Sequence, residues 1–147
     1  MTRAIICLTA MLMLTGCEEP FIVFAGGALS GEVIETPTDW SVLNAIDTVQ
    51  LETQPADPYS INIWIAAVGA DLYVATGEDG QRWTDYLNAD GNVRVRANQD
   101  LYELEAHMVT NAAERDRVAK AYVDKYDLAD GDNWVMEGMI FRLDHRQ

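Results

Sequence analysis

Residues 60–76 read SINIWIAAVGADLYVAT. Ile61, Ile63 and Ile65 alternate with Asn62 and Trp64, the period of two that belongs to a strand with one buried face. Gly69-Ala70 then breaks the run, and glycine at the first of two loop positions suits a type II′ turn, whose twist matches the strands on either side. A two-residue loop sets Ile65 opposite Val74 and Trp64 opposite Ala75, so that apolar side chains meet on each face. The stretch therefore predicts an antiparallel hairpin.

Downstream, Trp83, Tyr86 and Leu87 share one face of a short helix that stops near Asp90-Gly91. A second hairpin follows, VRVRA at 93–97 and LYELEAHMV at 101–109. A two-residue turn at Gln99-Asp100 sets Arg96 opposite Glu103 and Arg94 opposite Glu105, whereas a three-residue turn without a bulge sets Arg96 against Tyr102. Charge pairing favours the first register. These four residues then read as a solvated ladder of ion pairs, each contributing about 1 kcal/mol at most. Asn111-Ala112-Ala113-Glu114 has the form of a capping box, opening a helix to about Tyr126 with Val118, Tyr122 and Tyr126 at i, i+4 spacing. Trp134–Leu143 reads as a closing strand.

Upstream, Thr36-Pro37-Thr38-Asp39 offers N-cap chemistry to a short helix carrying Trp40, Leu43 and Ile46, and Val49–Glu52 reads as a brief strand. GGALSGE at 26–32 opens the folded part as a strand or turn. Sequential antiparallel pairs with helices outside define an α+β class: a barrel of mainly antiparallel strands with two or three flanking helices.

The chain has 147 residues, 10 Lys and Arg against 24 Asp and Glu, and a net charge of −14. Such an acidic surface repels phosphate backbones, so nucleic acid is excluded as a partner. At the N-terminus, Arg3 precedes an apolar block from Ala4 to Leu14, about 16 Å as a helix and half of a bilayer core. That is the length of a signal-peptide apolar region. Leu14-Thr15-Gly16-Cys17 resembles the bacterial lipobox, in which the cysteine becomes a lipidated N-terminus.

The resemblance implies a signal peptide over 1–16, a lipidated N-terminus and linker over 17–26 and a folded domain over 27–147. It further implies a membrane anchor through Cys17 and a place in the bacterial cell envelope, facing the periplasm. Glu18 and Glu19 leave the inner and the outer membrane both open. Of the two cysteines, Cys7 leaves with the signal and Cys17 is acylated, so the domain depends on packing rather than a disulfide.

LYVATGEDGQRWTDYLNADGNVRVRANQDLYELEA at 72–106 and AYVDKYD at 121–127 resemble the split β-barrel proteins, which bind flavin mononucleotide (FMN) or a deazaflavin. These include the pyridoxamine-phosphate oxidase-like and the deazaflavin-dependent nitroreductase families. The resemblance covers roughly Thr48 to Tyr126 and implies a small planar ligand, a flavin or deazaflavin cofactor for a redox reaction, and a homodimer. It also implies roles: Tyr59 and Trp83 walling a ring, Arg82 holding an anionic group, Ser60 and Asn62 orienting polar edges. Trp64, Tyr73 and Tyr86 alternate through the same region. The other reading of the aromatic set is plain core, with Asn62 at a solvated edge.

The deazaflavin proteins carry Gly-Arg-x-Ser-Gly ahead of the first long hairpin. Here Gln54 to Ser60 occupies that place, and no Lys or Arg lies between Arg3 and Arg82. No nucleophile elbow, phosphate-cradling glycine loop or HExxH motif is present, so the catalytic residues are unassigned. His107 and His145 lack metal-ligand spacing, and Asp127, Asp130 and Asp132 read as a polar turn. The alternative function is a cofactorless interaction or scaffold lipoprotein whose acidic surface meets a basic partner.

Overall fold

The computed structural model of the chain describes residues 26–129 and 131–146; the Ala4–Leu14 block, the Leu14–Cys17 motif and Asp130 lie outside the described residues. In chain order the strands are β1 (Glu32–Val33), β2 (Thr48–Thr53), β3 (Tyr59–Val68), β4 (Asp71–Thr76), β5 (Asn92–Ala97), β6 (Asp100–Met108) and β7 (Met139–His145). The helices are α1 (Arg82–Ala89), α2 (Ala112–Tyr126) and α3 (Trp134–Glu137). None of the described helices is long and apolar enough to cross a membrane.

The sheet runs β1-β6-β5-β2-β3-β4-β7 and closes by pairing β6 with β7, so β2 to β7 form a six-stranded antiparallel barrel. The short β1, at the end of the GGALSGE stretch read as a strand or turn, adds in parallel to the start of β6, a pairing the sequence did not announce. Leu51, Ile65, Leu72, Val74, Val93, Val95, Leu104 and Leu143 fill the barrel with Trp40 and Trp83. A second apolar layer, Tyr73, Ala75, Val118, Tyr122 and Ile140, lies between α2 and the outer face of β4 and β7.

The first hairpin has the expected register, with Ile65 opposite Val74 and Val68 opposite Asp71, and Gly69 takes the positive φ (62°) that its turn requires. Four local expectations are corrected. Between Thr36 and Ile46 the chain forms a 3-10 helix at Ser41–Ala45 with Trp40 at its N-cap position; Asp39 accepts a bond from the Ser41 N–H. At Asn111 half of the capping box forms: its side chain accepts from the Glu114 N–H, while the Glu114 carboxylate turns to Tyr73 and Arg142. Trp134–Leu143 divides into α3 and β7 at Gly138, whose close approach to the Thr76 carbonyl leaves no space for a Cβ.

The fourth correction is the β5–β6 turn. It lies at Asn98–Gln99, where Asn98 adopts φ 57°, a conformation asparagine tolerates. Arg94 therefore faces Glu103, and Arg96 faces Leu101. The arginines find their partners on β2 instead. Arg94 makes a two-pronged contact with Glu52 at 2.7 and 2.6 Å, and Arg96 donates to Gln50 at 2.6 Å and to the Ser30 carbonyl. Glu52 also accepts the Leu29 N–H, tying the chain before β1 to the barrel wall.

The Glu52 side chain is 3% exposed and that of Arg94 is 26% exposed. Removing the guanidinium strands a carboxylate that water cannot reach, whereas removing the carboxylate's charge leaves an arginine that can still be hydrated. Arg94→Met is therefore expected to destabilise by about 3 kcal/mol and Glu52→Gln by distinctly less, read from urea unfolding midpoints.

Candidate functional site

The β3–β4 ladder ends at Ile65 and Val74. Beyond that point β3 continues on β2, with a bridge from Ser60 to Gly26, while Ala75 and Thr76 of β4 pair with Ile140 and Met139 of β7. The expected pairing of Trp64 with Ala75 is absent because a side chain stands between them. The Tyr122 hydroxyl donates to the Trp64 carbonyl at 3.0 Å, lies 3.3 Å from the Tyr73 carbonyl and meets the Ala75 N–H. Tyr122 is fully buried, and that burial pushes its phenol well above the ordinary range. It reaches the fork because Val118 and Tyr122, one helical turn apart on α2, dock on the second apolar layer.

Below the fork the two strands bound a cleft of about 260 Å³. Trp64, Trp83 and Trp134 line it, with the amides of Asn62 and Gln81 and the hydroxyl-bearing Thr76; its remaining walls are Ile61, Ile63 and Ala75. Trp64 stacks on Tyr126 at 4.3 Å with 8° between the planes, yet is 43% exposed, so the rest of the indole meets the cleft and solvent. Trp134 stands edge-on to Tyr122 at 5.8 Å. Trp83 is 2% exposed and edge-on to Phe141, so most of its surface belongs to the barrel core.

Of the sequence-predicted site residues, Asn62 and Trp83 line this cleft together, and Tyr59, Ser60 and Arg82 stand outside its lining. Tyr59 packs edge-on to Tyr86 at 5.4 Å, and the exposed Arg82 guanidinium lies 5.9 Å from the centre of the Tyr59 ring, within cation–π range. Ser60 is buried in a backbone bridge to Gly26, with N–H···O distances of 2.9 and 2.7 Å. Sequence reasoning missed Thr76, Gln81 and Trp134. Trp134 reaches the cleft because α3 packs against β4 through Gly138. No group of three or more metal-ligating side chains occurs among the described residues.

The far end of α2 closes the strand edge that β2 leaves bare. The Tyr126 hydroxyl accepts from the Ile65 N–H and reaches the carbonyls of Ile65 and Asp47 at 2.8 and 2.6 Å. Lys125 donates to the Ile46 and Ile65 carbonyls, and burial draws its ammonium below the ordinary lysine range, opposed by Asp47. Asn44 exchanges two bonds with Ala67, as a neighbouring strand would. Burial pushes the Tyr126 phenol up to about 12. Its stabilisation is whole below pH 10, the unfolded value, and is lost as the pH rises through about 12. Tyr126→Phe is thus expected to be less stable near neutrality and to lose less stability above pH 10, as urea midpoints measured across that range would show.

No family model matches the sequence, and no curated protein does. Solved structures do resemble it. A FAD-binding protein from Mesorhizobium loti aligns with a TM-score of 0.55 at 17% identity, over 72% of this chain and 86% of its own. A Listeria innocua protein assigned provisionally to the pyridoxamine 5′-phosphate oxidases aligns at 0.57 and 13% identity, over 72% and 89%. A Bacteroides thetaiotaomicron protein assigned provisionally to 5-nitroimidazole antibiotic resistance aligns at 0.58 and 12%, over 90% and 92%. At such identities the likeness concerns architecture alone, and this chain has the α+β split-barrel fold of these proteins.

Proposed function

We propose that the chain is an envelope-anchored lipoprotein whose split barrel binds a small planar ligand of the flavin type in the cleft between β3 and β4. The observation that carries this reading is the cleft itself: three tryptophans, an asparagine and a glutamine line it where the β3–β4 ladder is held open. Aromatic walls with a few fixed polar groups are the usual make-up of a site for a flat ring. The fold-level likeness to a FAD-binding protein supports the same ligand class. A bound flavin would supply electron transfer, and the chain's own part is to clamp and orient the ring. Trp64 and Trp134 wall it, and Asn62 and Gln81 meet its polar edge.

The homodimer belongs to the same reading. A second copy would cover the exposed part of Trp64, and sedimentation of the detergent-solubilised protein tests it. The binding reading is tested by the visible absorption spectrum of the purified full chain, followed by titration with flavins. A shifted, saturable flavin band is expected, weakened about tenfold or more by Trp64→Ala through loss of a stacking wall. A featureless spectrum with no binding would shift the reading to the cofactorless interaction module.

The anchor rests on Arg3, the Ala4–Leu14 block and the Leu14–Cys17 motif. Cells fed a labelled fatty acid are expected to label the wild-type protein and leave Cys17→Ser unlabelled. An unlabelled wild type would remove the anchor from the proposal.

A further inference from the structure

We infer that the cleft selects an uncharged isoalloxazine, riboflavin or the bare ring system, over flavins that carry phosphate. This rests on the flavin-type reading above and concerns which member of that ligand class the site takes. The described residues that line the cleft include no charged side chain. A phosphate leaving water needs charge-assisted donors, and an unpaired buried charge is costly.

No cation belongs to the lining, and most of those in the barrel are held elsewhere. Arg82 lies over the Tyr59 ring. Arg94 is held by Glu52, Arg142 by Glu114 and Asp144, and Lys125 by two carbonyls.

The start of α1 is partly closed by its own residues. The Thr84 and Asp85 N–H groups both point to the Gln81 carbonyl, the Gln81 N–H donates to the Thr84 hydroxyl, and Asp85 puts a carboxylate in the first turn. Glu78 and Asp79 are exposed on the loop that joins Thr76 to Gln81, two residues of the lining. Together with the net charge of −14, they set a negative field beside the cleft.

Size and polarity agree with a neutral ring. About 260 Å³ falls just below the usual span of small-molecule pockets, roughly 300–1,000 Å³, and suits one ring system better than a dinucleotide. Asn62 and Gln81 each offer a donor and an acceptor on one amide, which matches the alternating carbonyl and N–H groups along the pyrimidine edge of an isoalloxazine.

The test is a parallel fluorescence titration of the detergent-solubilised full chain with riboflavin, lumichrome and FMN. Riboflavin and lumichrome are expected to bind at least about tenfold more tightly than FMN, with the gap narrowing as salt screens the surface. FMN binding as well as riboflavin, or better, would overturn the inference and leave the flavin reading standing. Failure of all three to bind would overturn both. Glu78→Lys with Asp79→Lys, outside the lining, is expected to raise FMN affinity severalfold and leave riboflavin unchanged. An unaltered ratio would count against the electrostatic basis.

Discussion

A single hydroxyl group decides the shape of this barrel. The Tyr122 oxygen takes the place of a backbone partner between Trp64 and Ala75, so the β3–β4 ladder stops there and the strands part. A buried carbonyl left without a donor costs about 1–3 kcal/mol, so an open fork is stable only if something bonds to its exposed groups. Tyr122 does so from full burial, and Tyr126, Lys125 and Asn44 treat the other bare edge of β3 in the same way. The cleft is therefore a consequence of how α2 docks. A cleft built on a departure from sheet regularity needs such a compensating element, and here that element is one helix face.

The same economy governs the charges. Seven cationic side chains are committed to the frame: Arg94, Arg96, Arg115, Arg117, Lys125, Arg142 and Arg146 all donate to backbone carbonyls or to neighbouring polar side chains. In a chain with 10 Lys and Arg, few cations remain for an anionic ligand. Glu52 shows why the commitment is structural. Its carboxylate is buried, and it joins the segment before β1, strand β2 and strand β5 through one ion pair and one N–H.

Elements with a strong local signal were legible in the sequence, and those fixed by distant partners were not. The Ile61–Ile65 alternation and Gly69 carried the first hairpin, because burial on one face and a positive φ are written in the residues themselves. The β5–β6 turn was placed one residue late, and the register thereby two residues off, because Arg94 and Arg96 were paired with their hairpin neighbours. Their stronger partners, Glu52 and Gln50, lie on a strand more than forty residues earlier. Helix α3 is one turn long, too short for a 3.6-residue period to stand out from a strand. The candidate cleft divides in the same way: Asn62 and Trp83 belong to periodic elements, while Trp134 arrives through the α3 turn and the Gly138 contact.

Closing a barrel and holding it open at one fork make different demands on the sequence. Closure needs only apolar residues at alternate positions, and it tolerates the low identity seen among proteins of this fold. Opening needs particular atoms: a phenol at one helical turn from Val118, an asparagine that mimics a strand, and a glycine where α3 meets β4. These positions determine which side chains meet in the cleft, and the polarity of those side chains determines what can enter it. The architecture can therefore stay constant while the ligand changes, since the charge of the lining varies independently of the apolar pattern that closes the sheet.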